Sequence, residues 1–129
     1  MIGKVIYGRL TTDAAVTGIC GLNIFPDIAP QNVQYPFMVY TIINSLPVDF
    51  KDGQSNLEEI KLQIDVYTNN YETTQTLANN VRNRLDRFVG TVNSISVQTI
   101  KYMSSDSQVY NADLNVYWMS MDFMAKMKR

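Results

Sequence analysis

Between residues 60 and 67 apolar and polar side chains alternate without a break: Ile60, Leu62, Ile64 and Val66 fall on one side, Lys61, Gln63, Asp65 and Tyr67 on the other. A period of two is the signature of a strand with one buried face. Residues 37–45 carry β-branched and aromatic groups on both sides, so a central strand covered on both faces over part of its length is expected there. Two more strands are read over 94–104, with Ile95, Val97, Ile100 and Tyr102, and over 112–124, with Leu114, Val116 and Trp118. Ser105, Asp106 and Ser107 mark the turn between them. Helical spacing appears twice. Ile2, Val5, Ile6 and Leu10 predict an amphipathic helix over residues 1–10. Leu77, Val81, Leu85 and Phe88, with Ala78 beside them, predict a longer one, opened by Asn69 with Glu72 and closed by Gly90. A short helical piece capped by Thr12 runs through Val16 and ends at Gly18 or Gly21.

The resulting order, α-β-β-α-β-β, predicts an α+β domain: a mainly antiparallel sheet of about four strands with two main helices packed on one face. The whole chain, 1–129, suits one domain. Residues 46–56 contain Pro47, Gly53 and the polar run Asp52-Gly53-Gln54-Ser55-Asn56, a composition that suits a long hairpin loop at the sheet edge, with 46–58 projecting. Pro26, Pro30 and Pro36 each fix their own φ and hold Phe25, Ala29 and Tyr35 out of helix, so a stiff connector precedes the central strand. At the other end, residues 125–129 carry Lys126, Lys128 and Arg129 and are expected to form a flexible, solvated tail.

Charge and chemistry narrow the function. Eleven basic and twelve acidic residues leave a formal charge of −1, which disfavours a surface that grips nucleic acid through counterion release. Histidine is absent, removing the commonest general base and metal ligand. The single Cys20 sits in Gly-Ile-Cys-Gly, where a buried, inert thiol suits its small and apolar neighbours and a reducing cytoplasm. The chain holds no Gly-x-Ser-x-Gly elbow and no phosphate-binding Gly-x-x-x-x-Gly-Lys loop. Asp49, Asp52, Glu58 and Glu59 flank the hairpin, but their spacing matches no calcium loop, and a solvated strand edge accounts for them. Arg82, Arg84, Asp86 and Arg87 lie off the helical stripe and read as a solvated face. No apolar run of about 18 residues is present to span a bilayer, and the N-terminus lacks signal-peptide order. The expectation is a soluble, unexported protein with no enzymatic activity, no cofactor, no metal and no membrane partner.

The last strand is apolar on both faces. Tyr117, Met119, Met121 and Phe123 share one side, Leu114, Val116 and Trp118 the other, so either one face meets another chain or helices cover both within the protomer. Seven methionines, four of them between 119 and 127, supply an adaptable apolar surface or ordinary core filler.

Two blocks carry a family resemblance. Ile24-Phe25-Pro26-Asp27-Ile28-Ala29-Pro30-Gln31 leads into Tyr35-Pro36-Phe37-Met38-Val39-Tyr40, and Ile60-Lys61-Leu62-Gln63-Ile64-Asp65-Val66-Tyr67 is followed by Tyr71 and then Asn80-Val81-Arg82-Asn83-Arg84-Leu85. This pattern resembles the tail-completion or tail-terminator proteins of tailed bacteriophages, which act at the head–tail joint. The resemblance implies a structural protein of the virion neck, made in the host cytoplasm. It implies a homohexameric ring that caps the tail tube, ends its growth and docks to head-closure or connector proteins. DNA would pass through the lumen without specific binding. Interaction residues implied on this reading are Asp49, Lys51, Asp52, Glu58 and Glu59 on the hairpin and Tyr117, Met119, Met121 and Phe123 on the last strand, with Pro26, Pro30 and Pro36 as structural connector. Another neck component, such as a head-completion or connector adaptor protein, is the alternative, and a small ligand-binding α+β module is a third reading.

Overall fold

The computed structural model describes residues 2–50, 53–105, 109–112 and 115–128. Helix α1 (Ile2–Thr11) is followed by α2 (Ala14–Cys20), β1 (Ile24–Pro26), β2 (Phe37–Phe50), β3 (Gly53–Thr68), α3 (Tyr71–Leu85), β4 (Gly90–Val92), β5 (Ile95–Ser105), β6 (Val109–Asn111) and β7 (Val116–Lys128). The strands form one sheet, ordered β1-β2-β3-β7-β5-β4, with β6 pairing to β7 off that path. β1 runs parallel to β2 and every other pairing is antiparallel, so the sheet is mixed; it curls into a half-barrel.

This corrects the four-strand, α-β-β-α-β-β expectation. The four long strands β2, β3, β5 and β7 occupy the anticipated stretches, the short second helix forms as α2, and three strands of three residues each are added. β1, β4 and β6 are too short to show periodicity and exist because a neighbouring long strand offers them a ladder. Polar composition also misled over the hairpin. Residues 46–50 and 53–58 continue the ladder, with Leu46 opposite Glu59, Asp49 opposite Gln54 and Phe50 opposite Gly53. Cross-strand pairing has overridden weak β-propensity there. The C-terminal tail is likewise strand through Lys128: Ala125 lies between Ile60 and Ile100, and Ala125 and Met127 are buried while Lys126 between them is exposed, as strand alternation requires. Lys51, Asp52, Asp106, Ser107, Leu114 and Arg129 lie outside the described residues.

Helix boundaries follow local hydrogen bonding. Asp13, and not Thr12, caps α2, its carboxylate accepting from the Ala15 N–H; Thr12 donates its hydroxyl back to Gly8 and Arg9 carbonyls. Gly21, at φ 61°, ends that helix in the left-handed region where a side chain is disfavoured. Asn70, one residue later than expected, caps α3 through the Thr73 N–H. That helix ends at Asp86, before Gly90 is reached.

One face of the sheet packs on the helices. Ile2, Val5, Ile6 and Leu10 of α1 and Leu77, Val81 and Leu85 of α3 meet Ile60, Leu62, Ile64 and Val66 of β3 and Met121, Phe123, Ala125 and Met127 of β7 in a single cluster. The Phe123 ring is fully buried and packs edge-on against Tyr102 at 5.7 Å between centroids. Removing it leaves a cavity that a paired strand cannot relax to fill. Phe123→Ala is expected to lower unfolding free energy by about 3–5 kcal/mol, measured by urea denaturation; a loss under about 1 kcal/mol contradicts this packing.

Candidate assembly surface

The β7 ladder on β3 begins at Leu57, so Gly53 and Gln54 of β3 pair with β2 alone among the described residues. Here the two strands form a two-stranded arm, in the stretch where the hairpin is expected. Glu58 and Glu59 sit at its root, half-buried; Glu58 accepts a hydrogen bond from the Ser45 hydroxyl. Asp49 is on the arm by backbone position.

The anticipated surface on the last strand divides in two. Met121 and Phe123 point at α3 and fill the protomer's own core, so they are not a free contact face; the helices that share their side of the sheet cover them. Met119 is partly buried against the same core and lines a cleft of about 220 Å³ with Gln75, Ala78, Asn79, Arg82 and Tyr102. Tyr117 remains half-exposed, flanked by Tyr71 at 6.0 Å and Tyr110 at 4.6 Å between ring centroids. In the connector, Pro26 ends β1, whereas Pro30 and Pro36 lie in irregular chain whose Ile28 is 80% exposed.

Among the described residues the opposite face of the sheet carries no helix, yet its middle is buried. Rows of side chains cover one another across β2, β3 and β7: Phe37, Tyr67 and Trp118 in one, Val39, Asp65 and Ser120 in the next. The Phe37 and Tyr67 rings stack at 4.8 Å, and Tyr67 and Trp118 lie parallel at 6.1 Å. Asp65, 8% exposed, accepts from Gln63 Nε2 at 2.9 Å and from the Trp118 indole N–H at 3.3 Å. Burial, and then the Asp65 carboxylate, push the Tyr67 phenol above its usual pKa. Alternation in β3 placed Asp65 and Tyr67 on a polar side; the aromatic content of that side was the available signal that it is partly dry.

At the arginine-rich end of α3 Arg82 and Arg87 are exposed, as expected of a solvated face, but Arg84 is a brace. Arg84 donates from Nε to the Arg9 carbonyl at 2.8 Å and from Nη2 to the Thr12 hydroxyl at 3.0 Å. Arg9 answers with Nη2 to the Arg84 carbonyl at 2.9 Å, and its guanidinium covers the Phe88 ring at 4.0 Å. Burial, and then the Arg84 charge, lower the Arg9 pKa. Arg82 stacks over Tyr102 at 4.1 Å. Sequence spacing does not reveal this because the acceptors are backbone carbonyls at helix ends, whose position depends on the fold.

The same corner treats the two sheet edges differently. Beyond β4, the outer edge of β5 is closed by the chain leaving α3: Arg87 N–H donates to the Ile100 carbonyl, Ile100 N–H to the Phe88 carbonyl, and Tyr102 N–H to the Asp86 carboxylate at 2.9 Å. On the far side β1 covers β2 only over Met38–Tyr40, and the Asp27 N–H extends this to the Tyr40 carbonyl. From Thr41 to Ser45 no described strand lies outside β2. Ile42 and Ile43 stand there 48% and 49% exposed, at a register shift.

This geometry has known counterparts. A family model described as Tail completion protein gp17 matches residues 4–128. A solved chain from "Virion of native gene transfer agent (GTA) particle" shares the fold with a TM-score of 0.74 at 14% identity, over 96% of this chain and 92% of that one. Another solved chain, 10% identical, superimposes with a TM-score of 0.62 over 99% of this chain and 94% of its own. None of the curated proteins matches. The class is thus a structural tail-completion protein of the bacteriophage virion. The chain belongs to the tail completion protein gp17 family.

Cys20 is buried, its Sγ near the Val16 and Gly21 carbonyls, and burial pushes its pKa up to about 11. A neutral thiol is a poor nucleophile. At pH 8 the folded protein is expected to react with a thiol reagent about 100-fold more slowly than the urea-unfolded chain, the ratio of thiolate fractions for a shift of about two pKa units. Equal rates contradict the burial.

Proposed function

We propose that copies of this protein form a ring, a homohexamer, on the last ring of the tail tube. There it ends tube growth and presents a surface to head-closure or connector proteins. Family membership supports the tail-completion role itself. The feature that supports the finer reading is the β2–β3 arm, whose pairs Asp49 with Gln54 and Phe50 with Gly53 lie past the last β7 partner of β3. A closed ring needs two different patches on each subunit, one per neighbour. The arm, with Asp49, Lys51, Asp52, Glu58 and Glu59, supplies one contact to a neighbour or along the axis. Tyr117 and Met119 form the second patch, and the connector with Pro26, Pro30 and Pro36 forms the rim. Carboxylates on the arm facing a lumen repel DNA phosphates and let DNA pass without being held.

Particles assembled without this protein are expected to show tails of abnormal length, or heads lacking joined tails, by negative-stain microscopy. Normal particles contradict the proposal.

A further inference from the structure

We propose that the uncovered edge of β2, residues 41–45, pairs with the end of β5 in a second copy, whose Met103 enters the groove beside Ile42. This rests on the ring reading above and specifies one of its contacts.

The inference starts from edge accounting. A strand edge with free N–H and C=O groups is a template for another strand, and proteins blunt it with charge, proline, bulges or a covering segment. Here one edge is covered as far as Tyr102 by backbone and carboxylate bonds from Asp86, Arg87 and Phe88. Among the described residues no strand covers the other from Thr41 to Ser45, where Thr-Ile-Ile-Asn-Ser carries neither charge nor proline and the register shift between Ile42 and Asn44 is the one irregularity.

A groove of about 190 Å³ lies beside this edge, lined by Ile2, Ile42, Ile60 and Met127 together with Ser45 and Glu58, which hydrogen-bond to each other. Strand addition of this kind draws affinity from main-chain bonds and specificity from a pocket for a side chain. The occupant must be extended, uncharged and apolar at one position. The chain has such a segment at the opposite end of its own sheet. Among the described residues the cover on β5 stops past Tyr102, and Met103, Ser104 and Ser105 are exposed and uncharged. Met103 is 50% exposed at a register shift, as Ile43 is on β2. An unbranched methionine suits an irregular aliphatic groove. Since the two segments lie at opposite ends of one sheet, joining them runs head to tail and extends the sheet from copy to copy, the heterologous contact a ring requires.

The test is the double variant Ile42→Cys with Met103→Cys, added to purified tail tubes and oxidised. Within a protomer β3 and β7 separate the two positions, by about 14 Å at ordinary strand spacing, beyond the reach of a disulfide. Cys20 is buried and does not compete. A ladder of covalent oligomers on a non-reducing gel is expected, with each single variant remaining monomeric. Tubes carrying the double variant without a ladder overturn the contact and leave the ring reading standing. If the double variant fails to bind tubes, amide exchange of the unmodified protein decides: residues 41–45 should exchange at least about tenfold more slowly on tubes than free, and unchanged exchange overturns the contact. Failure of the unmodified protein to assemble on tubes overturns the ring reading and this contact with it.

Discussion

The architecture depends on the pairing of β3 with β7. These strands sit side by side in the middle of the sheet and stay in one register from Leu57 opposite Lys128 to Thr68 opposite Tyr117. The ladders on either side, β2 with β3 and β5 with β7, each contain two register shifts. A slip of one residue would turn a strand's whole apolar set to the wrong face. The unbroken central ladder therefore keeps Ile60 to Val66 and Met121 to Met127 beneath α1 and α3, while the flanking ladders absorb the irregularity that bends the sheet.

A sheet covered by helices on one face has a second face and two edges to protect. The second face is protected by its own side chains, through the aromatic row of Phe37, Tyr67 and Trp118 and the hydrogen bonds to Asp65. One edge is protected by the chain leaving α3, which the Arg9–Arg84 brace fixes against α1. Among the described residues the β2 edge from Thr41 to Ser45 has no such cover. The sheet is thus closed in its middle and along one edge, and open along part of the other.

Strong periodicity was legible in the sequence wherever a long element buries one side. α1, β3 and the apolar stripe of α3 follow directly from it. Short elements were not legible, since three residues of β1 or β4 carry no period and depend on the strand beside them. The strand character of the arm was hidden by Gly53, Gln54 and their polar neighbours, whose pairing depends on β2 rather than on intrinsic propensity. Caps shifted by one residue because Asn69 and Asn70, or Thr12 and Asp13, are chemically equivalent candidates until the chain direction is known. The same limit applied to the assembly surface. Two apolar faces on β7 were correctly visible as a pattern, but which of them is core was decided by helix placement, and Met121 and Phe123 fell inside.

The central claim is that this sheet is closed in its middle so that its arm and open edge can join copies end to end on a tail tube. Electron cryomicroscopy of purified tail tubes mixed with the protein tests it most directly. A single added ring of six copies at one end of each tube is the predicted result. Subunits scattered along the tube wall, or tubes left bare, contradict it.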